Sequence, residues 1–191
     1  FVAAGMLAPH AEGLKGNLLK LGQLSLDRIP EWVQSIENNS GINCGLKNCG
    51  IVVPFRSTIE RDKYPSASFG QILNRKELEV EVPGIAPQWK TGLFFYQDGQ
   101  IDNRRQLIRA LEKACVELGV QFQEGVDVLD VLQDGKNFQG VQIRNAEGNY
   151  KILPSKEAVL CSGAWSGQIF KSMPIFPIKG QMLSLQGPKE A

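Results

Sequence analysis

Apolar positions recur three and four residues apart between residues 14 and 38, at Leu18, Gly22, Leu26, Ile29, Val33 and Ile36. That spacing predicts one amphipathic helix. Pro30 falls inside it and predicts a kink or a restart, because proline removes one backbone donor. Asn38-Asn39-Ser40-Gly41 closes the pattern with polar residues and glycine. Gly50-Ile51-Val52-Val53-Pro54-Phe55 then reads as a strand. Residues 56–92 mix charge, proline and glycine, with a short helix expected near Asn74–Val80. Leu93-Phe94-Phe95-Tyr96 reads as a second strand, ended by the turn dipeptide Asp98-Gly99.

The segment 103–118 carries the clearest helical stripe: Leu107, Leu111, Ala114, Cys115 and Leu118, with Ile108 beside it. Asn103 and Gln106 have capping-box spacing, and Gly119 stands where a C-terminal cap belongs. Val120 and Phe122 open an expected strand, giving the helix–Gly–strand unit of doubly wound α/β domains. From Val126 to Leu153 the alternation predicts a three-stranded antiparallel meander, with turns at Asp134-Gly135 and Glu147-Gly148-Asn149. Ala158-Val159-Leu160-Cys161 is almost wholly apolar, as in a central strand covered on both faces. Gln181 to Leu185 alternates and suits a half-exposed antiparallel sheet.

Charge narrows the function classes. The 191 residues hold 21 Lys plus Arg against 20 Asp plus Glu, a formal net charge of +1. No basic excess points to nucleic acid and no acidic tail is present. No apolar run approaches the roughly 18 residues of a membrane span, and the first residues lack the charged-then-apolar order of a signal peptide. These features lead us to expect a cytoplasmic protein without a nucleic-acid or membrane partner.

The four cysteines, Cys44, Cys49, Cys115 and Cys161, form no CxxC pair, and His10 is the only histidine, so no metal site is expected. Cys115 and Cys161 read as buried packing residues. Cys44 and Cys49 could meet across a loop but would stay reduced in the cytoplasm. His10, following Pro9, reads first as a capping or surface residue, with a place near a ligand left open by its motif. Ser162 and Ser166 stand outside any GxSxG elbow, and Trp165 could stack on a ligand but is expected to pack beneath a sheet.

Near the start, Ala3-Ala4-Gly5-Met6-Leu7-Ala8-Pro9-His10-Ala11-Glu12 concentrates small side chains. Such a run either lets the backbone approach a flat or phosphorylated ligand or forms a tightly packed turn. The stretch resembles the segment beside the isoalloxazine in FAD-dependent amino-acid oxidases. Three further stretches extend the likeness: residues 99–120 resemble the turn and helix leading back into the FAD-binding domain, 124–131 the strand meeting the adenine end, and 157–170 the strand–Gly–Trp–Ser signature. Residues 178–185, IKGQMLSL, follow in the expected order. The chain is thus similar to the family of FAD-dependent D-amino-acid and glycine oxidases, most of all to its glycine-oxidase branch of thiamine biosynthesis.

The resemblance implies a mixed α/β and α+β fold: part of a doubly wound FAD-binding domain with a β-meander, in residues 1–40 and 101–171, and part of an antiparallel-sheet substrate domain, in 41–100 and 172–191. It implies FAD as cofactor, with Ala4, Gly5 and Met6 toward the flavin, Val128 offering backbone atoms to the adenine end and Gly163 passing close by. On the residues alone, core packing for Met6 and Val128 and a strand-ending turn for Gly163 stay open. The family's GxGxxG unit is absent, since the glycines of residues 41–45 have the wrong spacing. The resemblance places that unit before Phe1 and the substrate-fixing arginine beyond Ala191, so the chain by itself is expected to be inactive.

Arg56, Arg61, Arg104 and Arg105 read as solvated rather than as carboxylate clamps, and no catalytic residue is named. The implied reaction oxidises glycine or a small D-amino acid to an imine while O2 becomes H2O2, feeding thiazole formation. Alternatives that stay open are a non-catalytic binding module of the same fold, and an oxidase of sarcosine or other secondary amines. A homo-oligomer is also left open.

Overall fold

In the computed structural model, which describes residues 5–181, the first element is the two-residue strand β1 (Met6–Leu7). A turn through residues 8–13 leads into helix α1 (Gly16–Ser40). The helix runs unbroken past Pro30, which lies on its exposed side. Its inward stripe passes through Leu19, Gly22, Leu26, Ile29, Val33, Ile36 and Ser40, whereas Leu18 stays 65% exposed. Gly22 earns its place by approach: a Cβ there would stand 2.7 Å from Cβ of Pro9. Gly41 ends the helix in the left-handed region, φ 69°, and donates its N–H to the Glu37 carbonyl at 2.8 Å.

A three-stranded antiparallel sheet follows, built from β2 (Ile51–Phe55), β3 (Gln71–Leu73) and β4 (Thr91–Phe95) in the order β2-β4-β3. Between β2 and β3 lie a short helix α2 (Thr58–Asp62) and a 3-10 turn at Ala67–Phe69. Helix α3 (Arg75–Glu81) joins β3 to β4 and begins with a full capping box: Asn74 accepts from the Glu77 N–H, and the Glu77 carboxylate accepts from the Asn74 N–H. On the central strand, Leu93 and Phe95 are wholly buried and pack with Phe55, Val53 and Tyr64.

After the turn at Asp98, strand β5 (Gly99–Gln100) pairs antiparallel with β1, Met6 opposite Gln100 and Leu7 opposite Gly99. A π-helical turn at Asn103–Leu107 enters helix α4 (Ile108–Glu117). The cap here is Asp102, whose carboxylate accepts from the Arg105 N–H at 3.2 Å, rather than the Asn103–Gln106 box suggested by spacing. Leu107, Ala110 and Ala114 face Val33 and Ile36 of α1 in one core that also holds Cys44 and Ile101. Leu118, expected in that stripe, is exposed.

The described residues divide into two compact units between Val120 and Gln121. The second contains the predicted meander: β6 (Asp127–Asp134), β7 (Asn137–Arg144) and β8 (Tyr150–Pro154), antiparallel in sequence order. A 3-10 turn at Gly163–Trp165 and the one-turn helix α5 (Ser166–Ile169) follow. The fold class is mixed α/β, and every strand pair among the described residues is antiparallel.

Several expected elements do not form. Val120 and Phe122 are exposed and outside any strand, and Ala158–Cys161 is irregular, with Val159 88% exposed and Cys161 exposed. The reason is shared: an apolar run signals burial, but a strand exists only through a ladder, and no described strand pairs with either segment. Trp165 is 64% exposed rather than tucked beneath a sheet. Gln181 is irregular, and the rest of the expected strand to Leu185 lies outside the described residues.

Candidate functional site

The β1 edge is built from very little chain. Gly5 adopts φ 87°, open to glycine and costly for other residues, and its carbonyl accepts from the Ile101 N–H at 2.8 Å. Period-two geometry then sends Met6 and Leu7 to opposite faces. Leu7 packs against the α1–α4 core, and Met6 is 59% exposed, so it is not a core residue. Ala4 lies outside the described residues.

Immediately after β1 stands a buried polar cluster that sequence reading missed. His10, far from being a surface cap, is 3% exposed, and Asp98 is wholly buried. Asp98 Oδ1 lies 2.6 Å from His10 Nδ1, and Oδ2 accepts the backbone N–H groups of His10 at 3.2 Å and Ala11 at 2.7 Å. A carboxylate oxygen only accepts, so Nδ1 carries the proton and donates. Nε2 of His10 meets the Gln23 side-chain amide at 3.2 Å. Ser66 Oγ donates to the His10 carbonyl, and Tyr64 Oη donates to the Ala11 carbonyl, each at 2.5 Å. The imidazole sits between Phe69, with centroids 5.2 Å apart, and Phe95, 6.3 Å away and nearly parallel. Burial, with the negative charge of Glu12 as a smaller cause, pushes the Tyr64 hydroxyl above its ordinary value, so it stays a donor. The sequence signal was thin: one histidine, and an acidic residue 88 positions later that read as a turn.

In the second unit, β6, the run 158–162 and α5 enclose an open cleft of about 660 Å³. Its wall is mainly apolar, with Val128, Val131, Phe138, Val159, Leu160 and Trp165. Val128 is 44% exposed there, and β6 is an edge strand whose pairing with β7 shifts register just beyond it. Gly163 follows Ser162 of the lining with φ 54°, and a Cβ on it would meet nothing within 4 Å. Its glycine therefore answers to backbone conformation rather than to crowding within the chain.

The arginines divide. Arg105 is exposed, as expected, and Arg56 lies over the Trp89 ring at 5.6 Å. Arg61 is not solvated: its side chain is 13% exposed, pairs with Asp62 at 2.7 Å and donates to Thr91 Oγ1 at 2.9 Å. Nothing is described of the Arg104 side chain. All four cysteines are free: Cys44 is buried, Cys49 exposed and Cys115 half-buried. The exposed Cys161 corrects its reading as a packing residue, because the strand that would have buried it does not form. Among the described residues no cluster is arranged to hold a metal ion, and no helix is long and apolar enough to cross a membrane.

Residues 1–191 match the protein family described as FAD dependent oxidoreductase. The chain belongs to that family. It is 35% identical over 187 residues to the bifunctional protein ThiO/ThiG of Synechocystis sp., covering 97% of this chain and 27% of that protein. Against a glycine oxidase of Bacillus licheniformis it is 27% identical over 192 residues, covering 96% of this chain and 50% of that one. The solved glycine oxidase of Geobacillus kaustophilus superposes with a TM-score of 0.73 at 22% identity, over 88% of this chain and 46% of that chain, which shows the shared fold. The chain thus spans about a quarter to a half of the length of these relatives.

Among the described residues that the resemblance assigns to FAD, Met6 is exposed beside Gly5 in the first unit, and Val128 lies half-exposed in the apolar cleft of the second.

Proposed function

We propose that this chain is part of a flavin-dependent oxidase that converts glycine or a small D-amino acid to its imine, with O2 taking the electrons and becoming H2O2, in the thiazole branch of thiamine biosynthesis. The observation that carries the reading is the similarity along nearly the whole chain to both ThiO/ThiG and glycine oxidase. FAD, when bound, supplies the two-electron acceptor that O2 then reoxidises. We assign Ala4, Gly5, Met6, Val128 and Gly163 to contacts with FAD. Gly5 and Met6 would present an uncrowded backbone and a soft thioether, and Val128 an apolar side chain with edge-strand backbone groups.

The reading further divides the chain into 1–40 and 101–171 as part of the FAD-binding domain, and 41–100 and 172–191 as part of the substrate domain. The packing of α1 on α4 supports joining residues 1–40 to the α4 part of 101–171. The cytoplasm is proposed from the biosynthetic role alone.

The test is anaerobic mixing of the full-length protein with glycine. Bleaching of the flavin band by glycine, followed by peroxide on admitting O2, is the expected result. A flavin reduced only by secondary amines such as sarcosine would move the substrate, and no bound flavin at all would overturn the reading. The 191-residue chain alone is expected to release no peroxide from glycine.

A further inference from the structure

The β1–β5 ladder has only two residue pairs. A slip of one residue in so short a ladder would exchange the faces of Met6 and Leu7. Leu7 would leave the α1–α4 core, and Met6 would turn inward. Three residues beyond Leu7, however, the same two segments are joined again by the His10–Asp98 contacts, because Asp98 immediately precedes β5. Asp98 accepts three N–H groups from His10 and Ala11 at once, a set no shifted register could reproduce.

A buried ionic or polar pair gives little net stability compared with apolar side chains of equal volume. What it gives is a single geometry, since each misplacement leaves buried donors unpaired. Here every polar atom of His10 has a partner, drawn from α1 (Gln23), the loop before β3 (Ser66) and the β4–β5 turn (Asp98).

We propose that His10 and Asp98 are positioning residues: a buried clasp that fixes the register of β1 and thereby holds Met6 outward, toward the cofactor. This rests on the proposed contact of Gly5 and Met6 with FAD. The clasp itself is a property of the first unit alone.

The test compares wild type, His10→Phe and His10→Asn in the full-length flavoprotein. Phe fills the space between Phe69 and Phe95 but cannot donate to Asp98; the Asn amide can stand where Nδ1 stood. Amide hydrogen exchange over residues 5–11 and 99–101 reads the clasp directly. The visible flavin spectrum and kcat against KM for glycine read its consequence. For His10→Phe we expect exchange in these segments about tenfold faster, one tenfold step corresponding to about 1.4 kcal/mol, a shifted flavin spectrum, and a fall mainly in kcat. His10→Asn should recover most of each.

Wild-type exchange in His10→Phe overturns the clasp. So does His10→Asn behaving like His10→Phe. Should His10→Phe lose its fold, Ser66→Ala removes only the hydroxyl donor to the His10 carbonyl, which keeps the Gly13 N–H, and should still accelerate exchange over residues 5–11; unchanged exchange there would overturn the clasp too. A wild-type protein that binds no flavin, with the exchange pattern as expected, counts against the proposed cofactor contact and leaves the clasp standing.

Discussion

The two units were equally legible as patterns and differ in what the patterns became. In the first, the apolar stripes of α1 and α4 meet each other, β4 is covered on both sides, and a buried polar cluster ties the loops together. In the second, the three-stranded meander forms on its own turns, yet Ile143 is the one buried apolar side chain among its described residues. Val128, Val159, Trp165 and Phe176 remain 44% to 88% exposed. Local signals suffice where the partner of each face lies nearby; an apolar run without a described partner stays open.

The largest effect should separate the units most sharply. Asp98→Ala strips three buried N–H donors of their acceptor in the first unit. A loss of about 3–5 kcal/mol is expected for breaking a buried pair by removing one partner, measured by chemical denaturation. A loss below about 1 kcal/mol, the range of an exposed ion pair, would erase the contrast in polar order. The exposed pair Arg144–Asp127 of the second unit, 2.7 Å apart, supplies the comparison: Asp127→Ala should leave the denaturation midpoint nearly unchanged, because solvent screens the pair.

Thiol chemistry sharpens the same contrast without mutation. Burial, and secondarily the negative charge of Glu37, push the Cys44 thiol above its ordinary value. At about pH 8 its thiolate fraction is therefore reduced as well as shielded. Labelling of Cys44 should therefore stay slow as the pH is raised through the ordinary thiol range. Mass-spectrometric mapping of a timed alkylation of the 191-residue chain should show Cys49 and Cys161 modified early, and Cys44 only on unfolding. Early modification of Cys44 would show that the first core opens readily.

How much could be read in advance follows from distance along the chain. The meander was legible because Gly135 and Gly148 each close a turn between adjacent strands, and α3 because its cap is local, Asn74 to Glu77. The helical stripe of α1 was right in period and displaced by one residue at its start, where Leu19 faces inward in place of Leu18. Arg61 was misread because its partner Thr91 lies 30 residues away, and His10 because Asp98 lies 88 away. No periodicity reports such pairings. The proposed cofactor contacts rest on resemblance, while the clasp proposed to hold one of them emerged only from the structure.

Ala158–Cys161 offers the smallest and most discriminating measurement. If its apolar composition alone drove burial, Val159→Ser would forfeit much of the roughly 1.5–3 kcal/mol that burying a valine-sized side chain provides. With Val159 88% exposed in this chain, the expected change in the 191-residue protein is within about 0.5 kcal/mol, as for an ordinary surface substitution. Under the proposed function, the same residue belongs to a central strand in the full-length flavoprotein, and the substitution there should cost at least about 1 kcal/mol, the lower range of burial penalties for a hydroxyl. Equal, small effects in both proteins would mean that the run never becomes a covered strand, which would count against the assignment of residues 101–171 to the FAD-binding domain. A large effect in the short chain would instead mean that the second unit already buries Val159, and the contrast between the units would shrink accordingly.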